Sequence, residues 1–209
     1  MNNEPKVNEG FEVVFWNARH NKQFLDALNE SNGIPDVLVM VEYDSDNINN
    51  AKDKHPEYHY FLSDSTGFGI LSKTPLLMHE EITHDDDSTI LSFQTNGFNF
   101  YAVDISASYL NFRKTSLHFV NSNIDKQNKT IILGDFNTPL ESIHFSFFET
   151  YFLNAFNDKG NGFRETWLWN MPLLSLDHVW VSKDLNILNA DKIATFKSDH
   201  SMIKTVIKR

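Results

Sequence analysis

Apolar positions along this chain fall into two patterns. Short, nearly unbroken runs occur at Phe11-Glu12-Val13-Val14-Phe15-Trp16, Val37-Leu38-Val39-Met40-Val41 and Ile131-Ile132-Leu133. Their β-branched and aromatic content predicts strands, and runs of this kind suit strands covered on both faces. Elsewhere apolar residues recur at helical spacing. Phe24, Leu25 and Leu28 predict an amphipathic helix over 21–31, stopped by Asn32-Gly33 with Pro35 following. Leu117, Val120 and Ile124 predict a second helix over 111–124, and 142–150 reads as a third. Residues 43–57 are polar and read as a loop or a short helix. Further strands are expected at 58–62, 68–72, 76–82, 89–94, 98–105, 178–182 and 201–207. Asn96-Gly97 marks a hairpin turn between two of them. Gly67-Phe68-Gly69 also reads as hairpin rather than as a phosphate-cradling loop, and Asp85-Asp86-Asp87 as a solvated turn. Strands outnumber helices, and buried and alternating strands both occur. A mixed sandwich of sheets covered by helices is the natural packing.

The length of 209 residues suits one domain. Residues 1–10 read as a polar tail and 11–209 as a single domain. With 41% hydrophobic residues and 18 Phe, the chain has material for a full core. It contains no cysteine, which excludes disulfides, thiolate zinc sites and a cysteine nucleophile. The 18 Lys and Arg against 28 Asp and Glu give a net charge of −10. That lacks the basic footprint of a protein that wraps duplex nucleic acid. No apolar stretch approaches the ~18 residues needed to span a bilayer. The first ten residues hold no apolar segment like that of a signal peptide. The location is left open between the cytoplasm and the extracytoplasmic part of a longer membrane protein.

Several polar residues terminate the apolar strands. Asn17 follows the first run and Glu42 the second. Gly134-Asp135-Phe136-Asn137 follows the third, Asp177 precedes Val179-Trp180-Val181, and Ser198-Asp199-His200 precedes the last strand. Loops at strand ends present side chains on a rigid support, which is where ligand sites collect. Carboxylate and amide oxygens suit a hard divalent cation. Phosphate-ester hydrolysis needs an activated water, neutralised phosphoryl charge and help for the leaving group. Asp135 and Asn137, two apart on an extended chain, are expected to point to one side.

The stretches FWNAR (15–19), PDVLVMVE (35–42), GFGILSKTPL (67–76), YAVDISAS (101–108), TIILGDFNTPLES (130–142), ETWLWNMPLLSLDHVWVS (165–182) and KSDHSMI (197–203) together resemble the endonuclease/exonuclease/phosphatase superfamily. The resemblance runs from residue 11 to the C-terminus and is nearest to short bacterial members of unassigned substrate. It implies an α/β fold: a four-layer sandwich of two face-to-face mixed β-sheets with helices on the outer faces. It also implies roles. Glu42 is similar to the principal carboxylate for Mg²⁺ or Mn²⁺, with Asn17 beside it and Asp199 as a second carboxylate near the metal. Asp135 resembles the residue that orients or deprotonates the attacking water, and Asn137 the residue that holds that water and a phosphate oxygen. His200 is similar to the histidine on the scissile phosphate, with Asp177 as its orienting partner. Arg113 is a candidate phosphate contact, and a solvated helix residue on the plainer reading.

Two positions depart from the family pattern. The stretch Val103-Asp104-Ile105-Ser106 holds Asp104 where relatives have a donor, usually His. An ionised carboxylate cannot donate, so Asp104 is a catalytic position with an unsettled role: protonated acid, ligand of a second cation, or sign of impairment. Ser175 stands where many relatives have Arg.

The expectation is a divalent-metal-dependent phosphoesterase, a nuclease or a phosphatase. Its substrate would be a nucleic acid, a lipid head group or a phosphorylated metabolite. No obligate protein partner is evident and a monomer is expected. The alternative is an impaired homologue that binds metal and phosphate. The segment from Trp167 to Leu174 could form an exposed apolar hairpin, although core packing beside the Asp177 strand is the simpler expectation.

Overall fold

The computed structural model describes residues 10–20, 24–43, 48–108, 112–169, 171 and 173–208. The parts of the sequence reading at 1–9, 21–23, 44–47 and 109–111, and at Asn170 and Pro172, lie outside the described residues.

In β1 (Phe11–Asn17) and β2 (Val37–Val41), alternate side chains face opposite ways and both sets are buried. Val13, Phe15, Val37, Val39 and Val41 point into the space between two sheets. Val14, Trp16, Leu38 and Met40 point outward, onto α1 (Phe24–Glu30) and α2 (Ile48–Lys54), where Phe24, Ala27, Leu28 and Ala51 close over them. This two-sided burial is why the sequence runs are unbroken. The first sheet is completed by β3 (His59–Leu62), β4 (Gly69–Ser72), β11 (Asn186–Ile193) and β12 (Met202–Lys208), in the order β11-β12-β1-β2-β4-β3.

The second sheet contains β5 (Leu77–Thr83), β6 (Thr89–Thr95), β7 (Phe98–Asp104), β8 (Thr130–Asp135), β9 (Phe152–Asn154) and β10 (Asp177–Ser182), in the order β5-β6-β7-β8-β10-β9. Its inner residues, among them Leu91, Phe93, Phe100, Ile131, Leu133 and Val179, join the same central core. Its outer residues Val103, Ile132 and Trp180 are covered by α3 (Arg113–Ser122) through Leu117 and Val120, and by Phe145 and Phe148. The result is the expected four layers. Asn96 (φ 50°) and Gly97 (φ 72°) make the β6–β7 turn in the left-handed region that such hairpins require.

Each sheet has one parallel pair, β1–β2 and β7–β8, among antiparallel neighbours. The carboxyl ends of both pairs carry the polar residues singled out in the sequence: Asn17 and Glu42 on one, Asp104 and Asp135 on the other. Gly134 allows β8 to lie against β7. A Cβ there would fall on the Val103 carbonyl, so no larger residue fits without parting the strands.

Several expectations are corrected. The helix expected over 142–150 is a 3₁₀ turn (Ile143–Phe145) followed by the short α4 (Phe148–Tyr151). Its aromatic residues turn inward onto Trp180, with Phe148 stacked on the indole at 5.4 Å, which suits two short turns better than one amphipathic helix. β9, α5 (Ala155–Lys159) and β11 had no expected counterpart. β9 has three residues, and the edge strand β11 is half polar without strict alternation and is held by pairing with β12.

The Trp167–Leu174 segment is not core. Trp167 and Leu174 pair backbone to backbone, and Trp169 and Met171 are 42% and 73% exposed. Asp86 is not a solvated turn residue either. It accepts from the Ser116 hydroxyl at 2.6 Å, faces His84 at 3.0 Å, and so ties the β5–β6 turn to α3. These partners outweigh its partial burial and hold its pKa down at about 2.

Candidate active site

Asn17 joins the two sheets. Its amide Nδ2 donates to Glu42 Oε1 at 3.0 Å and to Asp135 Oδ2 at 2.9 Å, while its Oδ1 accepts from the Arg19 backbone at 2.9 Å. One neutral side chain therefore separates two carboxylates from opposite sheets. Ser198 fastens the other side of β1, donating from Oγ to the Asn17 carbonyl at 2.9 Å and accepting from His200 N at 3.1 Å. Glu42 sits at φ 50°, where the chain leaves β2 sharply. Its Oε2 lies 3.3 Å from His20 Nε2.

In the second sheet, register places Asp104 beside Asp135 on β7–β8 and Asp135 beside Asp177 on β8–β10. Cross-strand neighbours share a face, so three aspartates form one row. His200 closes the row from the start of β12. Its Nδ1 is 2.8 Å from Asp177 Oδ2 and its Nε2 is 3.8 Å from Asp135 Oδ2. Asp177 is held in turn by its backbone N–H, which donates to Thr166 Oγ1 at 3.2 Å. Its second oxygen, Oδ1, is buried with no partner among the described residues.

Asn137 reaches the same place, but not along an extended chain. It sits at φ 45°, its N–H donates to Asp135 Oδ1 at 2.8 Å, and its Nδ2 donates to the Ile105 carbonyl at 2.7 Å. A tight turn rather than strand alternation brings the pair together. Asp199 lies to one side, accepting from Trp167 Nε1 at 3.3 Å and facing Arg19 Nε at 3.6 Å. Arg113 opens α3 and donates to the Ser106 carbonyl, with Asp135 close enough to act on its charge.

The electrostatics follow from burial and crowding. Burial would lower the His200 pKa, but the Asp177 carboxylate outweighs it, with Asp135 and Asp199 adding to the effect, and carries it to about 10. Burial and the Asp177 charge raise Asp135 to about 7, against the opposing pull of His200. Asp104 is raised well above the usual carboxylate range by burial, then by Asp135, Glu42 and Asp177. Ligand oxygens and nitrogens of Asp135, Asp177 and His200 lie within 4.8 Å of one another, the spacing of a metal site. Yet His200 is held as an imidazolium, which has no lone pair for an ion. The Glu42 carboxylate at the edge of this row suits a hard cation better, as carboxylate oxygens do.

The site thus gathers Asn17, Glu42, Asp104, Asp135, Asn137, Asp177 and His200, with Arg113 and Asp199 at its sides. Sequence reading gave no role to His20, Trp167, Thr166 or Ser198. Ser198, inside the Ser-Asp-His triplet, carried a signal; the others become neighbours of the site only through folding.

The profile of the endonuclease/exonuclease/phosphatase family matches residues 14–200. No curated protein matches the chain. Solved structures with the same fold include an endonuclease/exonuclease/phosphatase family protein from Bacteroides thetaiotaomicron (14% identity, 95% of this chain and 97% of that one, TM-score 0.72). A mannosyl-6-phosphatase of the same organism aligns at 14% identity over 95% and 100%, with TM-score 0.69. The human Nocturnin catalytic domain, solved with a sulfate anion, aligns at 18% identity over 96% and 93%, with TM-score 0.68. The two-sheet sandwich with acid, amide and imidazole groups at its strand ends is that of a class of phosphoesterases, nucleases and phosphatases among them. This chain belongs to the endonuclease/exonuclease/phosphatase family. Enzymes of the family commonly use divalent metal ions. No helix among the described residues is long and apolar enough to cross a membrane.

Proposed function

We propose that this chain hydrolyses a phosphate ester with the help of Mg²⁺ or Mn²⁺. The observation that carries the reading is the continuous polar chain from Glu42 through Asn17 to Asp135, ending in a His200–Asp177 pair. Glu42 would hold the ion, with Asn17 and Asp199 nearby. A bound divalent ion would neutralise phosphoryl charge and favour water ionisation.

The remaining work falls to the protein. Asp135, with its pKa near neutrality, orients the attacking water and takes its proton. Asn137 fixes the Asp135 carboxylate and offers an amide to the water or to a phosphate oxygen. His200, kept cationic by Asp177, binds a phosphoryl oxygen as negative charge develops. Arg113 adds a second cation from α3. Asp104 with its raised pKa can carry a proton and donate where relatives have a donor, which favours an active enzyme over an impaired homologue.

The test is turnover of bis-p-nitrophenyl phosphate, p-nitrophenyl phosphate and plasmid DNA with Mg²⁺, with Mn²⁺ and with chelator, alongside calorimetric Mn²⁺ titration of wild type and Glu42→Gln. Ion-dependent turnover and weaker Mn²⁺ binding by the variant are expected. No ion-dependent turnover of any substrate, or equal binding by both proteins, refutes the reading.

A further inference from the structure

We infer that the cavity beside Glu42 and Asp104 seats the leaving group, and that this group is a neutral polyol, making the substrate a sugar or cyclitol phosphomonoester. The inference rests on the phosphoesterase reading above and specifies its substrate class.

The cavity is about 680 Å³, in the range of small-molecule sites. It adjoins the site on two sides. Asp104 lines it, and so does His20, whose Nε2 lies 3.3 Å from Glu42. Its far wall is the turn between β3 and β4, where Gly67 (φ 70°) packs against the Glu42–Tyr43 backbone. That wall is fixed. Ser63, Ser65 and Thr66 donate their hydroxyls to one oxygen of Glu81, at 2.7, 2.9 and 2.6 Å.

The chemistry of the lining is one-sided. Asp64 and Asp87 contribute carboxylates, and neither side chain has an ion pair or hydrogen-bond partner among the described residues. The Ser65 and Thr66 hydroxyls have spent their protons on Glu81 and retain lone pairs, while Ser63 Oγ accepts from the Ser65 and Thr66 backbone N–H groups. Among the described residues no lysine or arginine lines the space. A surface rich in acceptors and poor in donors binds a ligand rich in O–H donors, and paired hydroxyls on adjacent carbons match a carboxylate. It rejects a second phosphate, because like charges placed together repel. A polynucleotide would bring a further anionic phosphate into this space, whereas a polyol with a single phosphate leaves it neutral. In the reaction a water oxygen forms the new bond to phosphorus, and the phosphorus–oxygen bond to the polyol breaks. The polyol leaves with one proton, and inorganic phosphate remains.

The experiment compares wild type with the double variant Asp64→Ala/Asp87→Asn, in which asparagine tolerates the left-handed φ of 67° at position 87. Neither residue belongs to the catalytic cluster. With Mn²⁺ present, kcat/KM is measured for glucose 6-phosphate, myo-inositol 1-phosphate, p-nitrophenyl phosphate and a short single-stranded oligonucleotide. Ligand-observed NMR measures glucose 6-phosphate binding independently of turnover. The expected result is a polyol phosphate favoured at least 10-fold over p-nitrophenyl phosphate. In the variant, KM for the polyol phosphate should rise about 10-fold while p-nitrophenyl phosphate turnover is unchanged. Preference for the oligonucleotide, or equal effects of the variant on all substrates, overturns the inference and leaves the phosphoesterase reading standing. If no substrate turns over but glucose 6-phosphate binds wild type and not the variant, the cavity assignment holds and the catalytic reading falls. Absence of both turnover and binding overturns both.

Discussion

His178 offers a stability test that is separate from turnover. It follows Asp177 in β10 but points to the outer face, where it is 2% exposed. Its ring packs between Phe145 at 5.1 Å and Phe136 at 5.4 Å, and its Nε2–H donates to the Thr138 carbonyl at 2.8 Å. Burial among these rings disfavours the imidazolium and lowers the pKa from 6.5 to about 4. The unfolded chain therefore takes up a proton near pH 6.5 that the folded protein refuses. The stability held by neutral His178 is complete above pH 6.5 and is lost as pH falls through about 4. The gap corresponds to about 3 kcal/mol. His178→Phe keeps the ring packing, strands the Thr138 carbonyl, and should cost about 1–3 kcal/mol at pH 7.5. It also removes the titration. Urea unfolding followed by tryptophan fluorescence at pH 7.5, 6, 5 and 4 measures both effects. Other groups titrate in both proteins and cancel in the difference. The wild type should lose about 3 kcal/mol more than the variant across this range, closing the gap near pH 4. Parallel curves with a constant gap would refute the assignment of a buried neutral histidine.

The remaining predictions concern the site and its supporting strands. Gly134→Ala should destabilise by at least about 3 kcal/mol, read as loss of soluble protein or a collapse in Tm, because the added methyl meets the Val103 backbone; an unchanged Tm would show that β7 can yield. Asp177→Asn and His200→Ala should each remove most activity, with the double variant little worse, since residues acting as a unit are non-additive. Strictly additive losses in kcat/KM would show that the 2.8 Å contact is not used in catalysis. Asp104→Asn should raise Tm in chelator by about 2–4 °C, roughly 1 kcal/mol, because a neutral amide escapes the cost of burying a carboxyl group beside Asp135 and Glu42, and the gain should vanish in saturating Mn²⁺. A lower Tm in chelator would mean that Asp104 has a stabilising partner.

The order of elements and the candidate residues were largely legible in the chain. Unbroken apolar runs at Val37–Val41 and Ile131–Leu133 announced strands buried on both faces, and the polar residue ending each run marked a strand terminus. Periodicity reports which side of an element is inside, and the core obeys it. It does not report which elements meet. The bridge from Asn17 to Asp135 spans 118 positions and crosses between sheets. The row of Asp104, Asp135 and Asp177 exists because β8 lies between β7 and β10, while β9 is displaced to the edge. Those pairings are set by long-range packing and register, so the raised pKa values of Asp104, Asp135 and His200 could not be read from residue type. The left-handed turn at Asn137 and the outward Trp167–Leu174 excursion have the same origin. Each is fixed by hydrogen bonds to residues distant in sequence, Ile105 and Asp199. Local composition determined which side chains this protein could place at its strand ends, and the stacking of two sheets decided which of them touch.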